Sequence, residues 1–403
     1  MNFATLTETE TAGKTVLLRV DFNSPIDPAS SIILDDKRFR EHVPTVQALD
    51  DAKCVIITHQ SRPQKKDFTT LEVHAARLER LIGRQVHYID DIFGRCARET
   101  VAEMNAGDVL MLENVRFNAE ENLRMSGEEA LGTHLVRNLA AMGDIYVNDA
   151  FGTAHRSQPT IVGLPRAMPA VAGLLMEKEI ATLSRVLSGA PGPVTFVLGG
   201  TKVDDSLDVA INVLSGGITD RVIAVGVVAN VFLKAQGIGI GSPSEELIRK
   251  LGYLPEVEKA RDILARYGDM IVLPETVAVR SGASRAECPV TAIPDLPVLD
   301  CGLESIGPIT DLIRESGTVV LNGPAGVFED PLFAIGTNEI LRAAACAKFS
   351  VVGGGHTAVV IESMGIAQKF SHISTGGGAC IEFLTGKMLP AVEALQESKI
   401  RFW

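Results

Sequence analysis

The chain reads Val194-Thr195-Phe196-Val197-Leu198 and continues directly as Gly199-Gly200-Thr201-Lys202. The first five residues are apolar or β-branched with no regular polar alternation, which predicts a strand buried on both faces. A glycine turn and then a helical pattern follow, and this order is typical of a strand–turn–helix unit in a parallel sheet. The stretch therefore indicates an α/β fold.

The same unit recurs on both sides of this stretch. Further strands of this kind are predicted at residues 16–20, 55–57, 109–112, 145–147, 222–225, 270–273, 319–321 and 350–352. Apolar strands that alternate with helices predict parallel sheets covered by helices on both faces. Because 403 residues exceed the usual size of one domain, we predict two Rossmann-like α/β domains.

A helical run at residues 174–180 precedes the helix-breaking segment Gly189-Ala190-Pro191-Gly192-Pro193. This change predicts the place where the two halves join. We expect an N-terminal domain at residues 1–170, an interdomain hinge helix at 171–189 and a C-terminal domain at 190–386.

Charge and apolar content exclude several classes of protein. A net charge of -12 argues against binding to nucleic acid or to an anionic membrane. The first residues lack the pattern of a signal peptide, and the most apolar stretch, 222–233, is too short to span a bilayer. The six cysteines form no C-x-x-C pair, so we expect buried structural thiols, no zinc site and a cytoplasmic location.

Basic side chains follow several predicted strands of the first half. They are Arg38, His59, Arg62, Arg116, His155 and Arg156. The carboxyl ends of parallel strands meet at one edge, and guanidinium forks suit phosphate and carboxylate oxygens. Any one of these arginines alone would be an ordinary surface residue, but the set predicts an anion site. With Asp21 and Asn23 to bond a hydroxyl or orient an arginine, it suits a phosphorylated hydroxy acid.

Glycines follow the predicted strands of the second half, at Gly199, Gly226, 322–323, 353–355 and 376–378. No Walker A motif occurs, and 237–241 fails the dinucleotide pattern because residue 242 is serine. Glycine turns at helix starts let backbone amides approach a phosphate. We expect Lys202 to meet a transferred phosphoryl group, in a cleft that closes and excludes water.

Other functions fit parts of this pattern. A nicotinamide-dependent dehydrogenase would suit the fold but needs a dinucleotide fingerprint. Another carboxylate kinase, forming a different acyl phosphate, would keep the phosphate cradle and change the acceptor. A non-catalytic anion-binding protein would need neither Lys202 nor the glycine-dense loops.

Over nearly its whole length the chain resembles the phosphoglycerate kinases. The motif Arg19-Val20-Asp21-Phe22-Asn23-Ser24-Pro25 carries this resemblance, together with residues 112–117, 148–156, 199–203, 322–329 and 372–378. The resemblance implies reversible phosphoryl transfer between ATP and the carboxylate of 3-phospho-D-glycerate, giving 1,3-bisphosphoglycerate and ADP, in glycolysis and gluconeogenesis. It also implies Mg²⁺ bound with the nucleotide rather than in a metal site of the protein. We further expect a monomer, with residues 387–403 returning to the N-terminal domain.

The resemblance also assigns roles to residues. Substrate binding is expected of Asp21, Asn23, Arg38, His59, Arg62, Arg116, His155 and Arg156. Nucleotide binding is expected of Gly199, Lys202, Gly226, Asn322, Glu329, Gly354, Gly355, His356 and Thr357. Catalysis is expected of Arg38, Lys202, Gly376, Gly377 and Gly378. Because the acceptor carboxylate is already ionised, direct in-line transfer needs no general base, and His155 is expected to bind an anion rather than move a proton.

Three positions depart from the family pattern. Ser206 stands where a second lysine is usual, His356 stands where an aspartate is usual, and the glycine run is reduced to Val225-Gly226-Val227. These features resemble the archaeal branch of the family. His356 is expected to cap a helix or contact phosphate, leaving Mg²⁺ to nucleotide oxygens and water; a nitrogen ligand is the alternative, which hard Mg²⁺ disfavours.

Overall fold

Two six-stranded sheets, each entirely parallel, form the framework of the chain in a computed structural model that describes residues 2–403. Helices flank both sheets, so the α/β prediction is confirmed. The chain folds as two compact units, the first made of residues 1–181 with 388–403 and the second of residues 182–387.

The first unit contains the sheet with the strand order β3-β4-β2-β1-β5-β6. Its strands are β1 (Thr15–Arg19), β2 (Lys53–Ile57), β3 (His87–Tyr88), β4 (Val109–Met111), β5 (Ile145–Asn148) and β6 (Ala170–Ala172). Its helices are α1 (Lys37–Gln47), α2 (Glu72–Ile82), α3 (Arg95–Glu103), α4 (Gly127–Leu131), α5 (His134–Ala140), α6 (Pro159–Val162), α7 (Leu164–Ala167) and α17 (Pro390–Phe402). Helix α8 (Leu174–Gly189) begins in this unit and ends in the second, because the boundary falls between Ala181 and Thr182.

The second unit contains the sheet with the order β15-β14-β13-β7-β8-β9. Its strands are β7 (Val194–Leu198), β8 (Arg221–Ala224), β9 (Ile271–Val272), β13 (Thr318–Asn322), β14 (Phe349–Gly353) and β15 (His372–Ile373). Its helices are α9 (Val203–Ser215), α10 (Gly226–Ala235), α11 (Ser242–Lys250), α12 (Leu254–Tyr267), α13 (Leu303–Arg314), α14 (Ile335–Ala344), α15 (Gly355–Ser363) and α16 (Gly377–Leu384).

A third, antiparallel sheet in the second unit was not predicted. It comprises β10 (Thr276–Ser281), β11 (Ser284–Pro289) and β12 (Val298–Cys301), with β10 in the middle. A two-residue turn joins β10 to β11, and its first residue, Gly282, has a φ of +58°. A glycine directly after a β-rich run such as β10 is a turn signal that sequence reasoning could have used.

Burial explains the apolar strands. All five residues of β7 are buried, and so are all five residues of β13. Full burial of a valine or leucine side chain stabilises a fold by about 1.5–3 kcal/mol, so unbroken apolar runs are favourable only between two layers of helices.

The cysteine prediction is confirmed only in part. Cys54, Cys301 and Cys380 are buried and Cys288 is half-buried, but Cys96 and Cys346 are exposed, so the expectation of buried thiols was wrong for these last two. Cys96 lies in α3, and Cys346 lies in the turn after α14. In residues 2–403 no helix is long and apolar enough to cross a bilayer.

Candidate active site

The first sheet brings its polar strand ends together beside its central strand. The chain winds from β1 toward β2 on one side and returns through β5 on the other, so β1 and β5 lie at a topological switch point. Ligands of open parallel sheets bind outside the carboxyl ends at such a point. Asp21 follows β1 here, and Asp149 follows β5.

A polar cavity of about 710 Å³ opens within the first unit. It is lined by Asn23, Ser61, Arg62, Pro63, Lys65, Asp67, Arg116, Asn122, Arg124, His155, Arg156 and Gln158. Five residues of the predicted substrate set are in this lining, where Asp67 is the one carboxylate among several cations. Sequence reasoning missed Lys65 and Arg124. Lys65 follows Arg62 by three positions, and Arg124 follows Arg116 by eight.

Burial of guanidinium groups, together with repulsion among them, is the main electrostatic feature of this cavity. Burial, and then the charges of Arg156 and Arg19, lower the pKa of Arg116 to about 10. Burial also lowers the pKa of Arg156. The charge of Asp21 opposes this shift, and the charges of Arg19, Arg38 and Arg124 add to it. Cations that are partly buried and repel one another favour an anion between them.

Asp21 lies beside this cavity rather than in its wall. Its carboxylate forms an ion pair with Arg38. Burial opposes ionisation, but the charges of Arg38 and Arg19 outweigh it and hold the pKa of Asp21 well below its usual range. Asp21 therefore stays ionised and keeps Arg38 in place.

His59 is held as a hydrogen-bond donor by Arg19, which is fully buried at the end of β1. Nη2 of Arg19 lies 3.1 Å from Nδ1 of His59. A guanidinium group only donates, so Nδ1 accepts and the ring proton sits on Nε2. Burial, and then Arg19, lower the pKa of His59 well below its usual value. Its Nε2–H is buried and has no partner among the described residues.

The loop after β2 places the neighbouring residues of the cavity. Ser61 has a φ of +55°, a left-handed conformation that costs a non-glycine residue roughly 1 kcal/mol. Its N–H donates to Oδ1 of Asn23 at 2.8 Å, and its carbonyl accepts from Arg116. These contacts join three strand ends into one cavity wall.

Glycine allows the carboxyl ends of β7 and β13 to touch in the second unit. The N–H of Gly199 donates to the carbonyl of Asn322 at 2.8 Å, and the N–H of Gly200 donates to the carbonyl of Pro324 at 2.8 Å. Gly323 has a φ of +86°, and a Cβ added there would collide with the Gly199 carbonyl. These two strands flank the switch point of the second sheet.

Helices begin at four strand ends of this sheet. Helix α9 follows Lys202, α10 begins at Gly226, α15 follows Gly354 and α16 follows Gly376. The starts of α15 and α16 are adjacent, because a Cβ on Gly377 would lie 3.6 Å from the α-carbon of Gly354. Amides at helix N-termini carry partial positive charge, so two adjacent starts form a phosphate-sized cradle.

Two hydroxyl groups near these helix starts are buried without a partner among the described residues, Oγ1 of Thr357 in α15 and Oγ of Ser206 in α9. Oγ1 of Thr357 lies close to Gly354, 3.8 Å from the position of a Cβ there. This hydroxyl can donate to a phosphate oxygen or offer its own oxygen to a hard cation. Lys202 is exposed at the N-terminus of α9.

A mainly apolar cavity of about 210 Å³ lies beside this cradle. Gly226, Glu329 and His356 from the predicted nucleotide set line it, whereas Gly199, Lys202, Asn322, Gly354, Gly355 and Thr357 do not. Strands β10 and β12 of the unpredicted sheet supply Val277, Val298 and Leu299. His356 is exposed, and its ring centroid lies 5.9 Å from that of Phe328.

No cluster of three or more His, Cys, Asp or Glu side chains within residues 2–403 has the arrangement of a metal site.

Comparison with known proteins identifies relatives over the whole chain. A family described as "Phosphoglycerate kinase" matches residues 6–387. A protein of that name from Methanocorpusculum labreanum is 62% identical and covers 100% of both chains. One from Archaeoglobus fulgidus is 46% identical and covers 99% of this chain and 98% of its own.

Solved structures agree with these relatives. The crystal structure of a phosphoglycerate kinase from Pyrococcus horikoshii OT3 matches with a TM-score of 0.91 at 42% identity, covering 99% of this chain and 100% of that one. A structure from Coxiella burnetii matches with a TM-score of 0.83 at 31% identity, covering 98% of this chain and 100% of that one.

Proposed function

The chain belongs to the phosphoglycerate kinase family, and we propose that its two clefts divide the reaction between a phosphoglycerate site and a nucleotide site. It is a phosphotransferase, and the prediction of this family is confirmed. The family match does not favour another carboxylate kinase, a dehydrogenase or a non-catalytic binding protein.

The first-unit cavity binds 3-phosphoglycerate in this proposal. The observation that carries it is the cavity lining, where Arg62, Arg116, Arg124 and Arg156 converge. Burial, and then Arg156 and Arg19, lower the pKa of Arg116 there. A ligand with a carboxylate and a phosphate relieves that repulsion, and bidentate guanidinium contacts fix its pose. The buried Nε2–H of His59 offers one further donor.

The second unit binds the nucleotide. The apolar cavity suits an adenine base, with Glu329 at its edge for the ribose. The adjacent starts of α15 and α16 hold the phosphates. MgATP is the substrate form: the Thr357 hydroxyl would donate to a phosphate oxygen and His356 would contact phosphate, while Mg²⁺ would keep nucleotide and water oxygens as its ligands.

Transfer is direct and in line. The acceptor carboxylate is already a nucleophile, so the protein supplies alignment and charge stabilisation. Lys202, Arg38 and the amides of Gly377 and Gly378 share the negative charge of the phosphoryl group in flight, whereas the predicted amide of Gly376 donates to Oγ of Ser374 at 3.2 Å. The ligands must meet away from water, and we assign that closure to a hinge motion involving α8. We further propose a cytoplasmic monomer with no nucleic-acid or membrane partner.

The test is ADP-dependent ATP synthesis from 1,3-bisphosphoglycerate, measured with and without Mg²⁺. We expect Mg²⁺-dependent turnover. Lys202→Ala should lower kcat by about 10²–10³-fold while the KM for the phosphoglycerate changes little, since the lysine acts mainly on the transition state.

Lys250→Ala is the matched control, because Lys250 is an exposed lysine at the end of α11. It should turn over at the wild-type rate. Wild-type turnover in Lys202→Ala would overturn the assigned role, and no turnover by the well-folded wild-type chain would overturn the proposed function.

A further inference from the structure

One face of α1 carries three polar residues, Arg38, His42 and Thr45. Residues three and four positions apart project from the same side of a helix. Arg38 forms the ion pair with Asp21, while His42 and Thr45 are buried. The proposed chemistry gives a role to Arg38 only, so the two buried residues need an explanation.

His42 joins the substrate side of the sheet to Asp149. The backbone N–H of Asp21 donates to Nε2 of His42 at 3.1 Å. Nε2 must therefore accept, and the ring proton sits on Nδ1. Nδ1 lies 2.7 Å from Oδ2 of Asp149, to which it donates. One imidazole thus connects the chain after β1 with the chain after β5.

Asp149 in turn holds the start of α8. Its other oxygen, Oδ1, accepts from the N–H of Leu175 at 2.9 Å and more weakly from Met176 at 3.4 Å. Oγ1 of Thr45 accepts from the N–H of Leu174 at 3.2 Å. First-turn amides lack partners within their helix, and a carboxylate beside them is stabilising.

Gly173 lets the carboxylate approach this closely. A Cβ at Gly173 would collide with Oδ1 of Asp149. The first three amides of α8 are thus held by side chains from α1 and from the end of β5, rather than by a cap of the helix itself.

We propose that His42 is a positioning residue of the phosphoryl transfer, linking the substrate site at Asp21 to the first turn of α8. The inference rests on the proposed substrate of the first unit. An anionic substrate competes with Asp21 for Arg38, and Arg38, His42 and Thr45 belong to one helix. A displacement of Arg38 therefore acts on the contacts of His42 with Asp149 and of Thr45 with Leu174, which hold the start of α8. The boundary between the two units falls within this helix.

Hydrogen–deuterium exchange on the full chain tests this link, with 3-phosphoglycerate as the probe. In the wild type, saturating ligand should slow exchange of the amides of residues 174–176 by about tenfold, within the usual range of coupling between sites. His42→Leu keeps the size of the side chain and removes both hydrogen bonds. It should lose this slowing, with kcat lowered about tenfold and the KM for 3-phosphoglycerate changed by less than about threefold.

Asp149→Asn provides a second variant of the same shape. To keep the contact with His42, the NH₂ group of the new side chain must donate to Nδ1. The ring proton of His42 must then move to Nε2, where it faces the N–H of Asp21, so that two donors oppose each other. It should also lose the ligand-induced slowing, even though its Oδ1 can still accept from Leu175. Arg40→Ala is the control, since Arg40 lies on α1 but is exposed and pairs with Asp36 instead.

Each outcome decides the question. Wild-type binding without slowing at residues 174–176, or slowing that persists in both His42→Leu and Asp149→Asn, overturns the link. Loss of slowing in Arg40→Ala as well would assign the effect to α1 in general and also overturn it. A wild-type chain that does not bind 3-phosphoglycerate overturns the proposed function and this inference with it.

Discussion

Nη2 of Arg19 donates to Nδ1 of His59 across 3.1 Å, and both side chains are buried. The same guanidinium group bonds Oγ1 of Thr160 and lies 3.9 Å from the buried carboxylate of Glu121. On one side, Arg19 therefore pairs with the carboxylate of Glu121. On the other side, its guanidinium group fixes the ring of His59. A histidine held in this way is a donor without charge.

This relationship predicts how substrate binding depends on pH. Because the pKa of His59 lies well below its usual value, the ring does not change its charge between pH 6 and 8. The KM for 3-phosphoglycerate should therefore follow the same pH profile in the wild type and in His59→Gln, although its absolute value rises in the variant. Steady-state kinetics across this range measure the profiles. A wild-type inflection that disappears in His59→Gln would contradict the prediction.

Arg156 should show opposite effects on stability and binding. Its lowered pKa means that its surroundings disfavour its charge when no anion is bound. Arg156→Leu should therefore raise the unfolding midpoint of the ligand-free protein. It should also weaken 3-phosphoglycerate binding by about 10–100-fold, the value of a charge-assisted contact.

Thermal unfolding and calorimetric titration measure these two effects. Arg95→Leu removes an exposed arginine that pairs with Glu99 on α3, and it should change neither quantity appreciably. A lower midpoint for ligand-free Arg156→Leu would show that the repulsion is not significant.

The burial of His74 leads us to expect that the protein loses stability in acid. Burial lowers the pKa of His74 from 6.5 to about 4. Nε2 donates to Gln60, whereas Nδ1 has no hydrogen-bond partner among the described residues. A proton added to Nδ1 would therefore be buried without an acceptor. The unfolded chain binds this proton more readily than the folded chain does. The contribution of the neutral His74 ring to the free energy of unfolding is therefore complete above pH 6.5 and is lost as the pH falls toward 4.

The loss between pH 7 and pH 4.5 should be about 2–3 kcal/mol for this one group. Denaturant unfolding followed by circular dichroism at the two pH values measures it. His74→Gln retains a donor for Gln60 and should show a correspondingly smaller difference between them. An equal difference in wild type and variant would exclude His74 as the source.

Gly323 should be the least replaceable glycine of the nucleotide side. Gly323→Ala places a Cβ against the Gly199 carbonyl and strains a φ of +86°, so it should abolish nucleotide binding and lower the unfolding midpoint. Gly307→Ala is the matched control. Gly307 lies in α13 with open space around it, and alanine there should stabilise the protein by about 0.5–1 kcal/mol. Nucleotide titration and thermal unfolding of both variants check the contrast.

Much of the fold was predictable because it follows from local patterns. The apolar run of β7 and the glycines after it identify a buried parallel strand without reference to the rest of the chain. The helix predicted at residues 171–189 corresponds to α8, which begins at Leu174 and ends at Gly189 before the proline-rich segment. The hairpin of β10 and β11 was missed because β11 is polar and only partly buried, so it shows no apolar run.

The candidate site also contains residues that could be predicted from the sequence and residues that could not. Residues at the ends of strands were predictable, because topology alone gathers them at one edge; their individual roles remain predictions. His42 and Glu121 were not predictable from their surroundings in sequence. Their partners Asp149 and Thr160 lie 107 and 39 positions away, and neither distance leaves a periodic signal.

Helix α17 affects the order in which the protein is completed during synthesis. Oγ of Ser398 accepts the N–H of Ala170 at 3.0 Å, and Glu397 pairs with Arg166. Residues 388–403 are made about 200 residues after the rest of the first unit, which at roughly 5–20 residues per second is a delay of roughly 10–40 s. Until the ribosome has made nearly the whole chain, the N–H of Ala170 lacks this acceptor and Arg166 lacks Glu397. The unit whose synthesis begins first therefore cannot complete its contacts until residues 388–403 have been made.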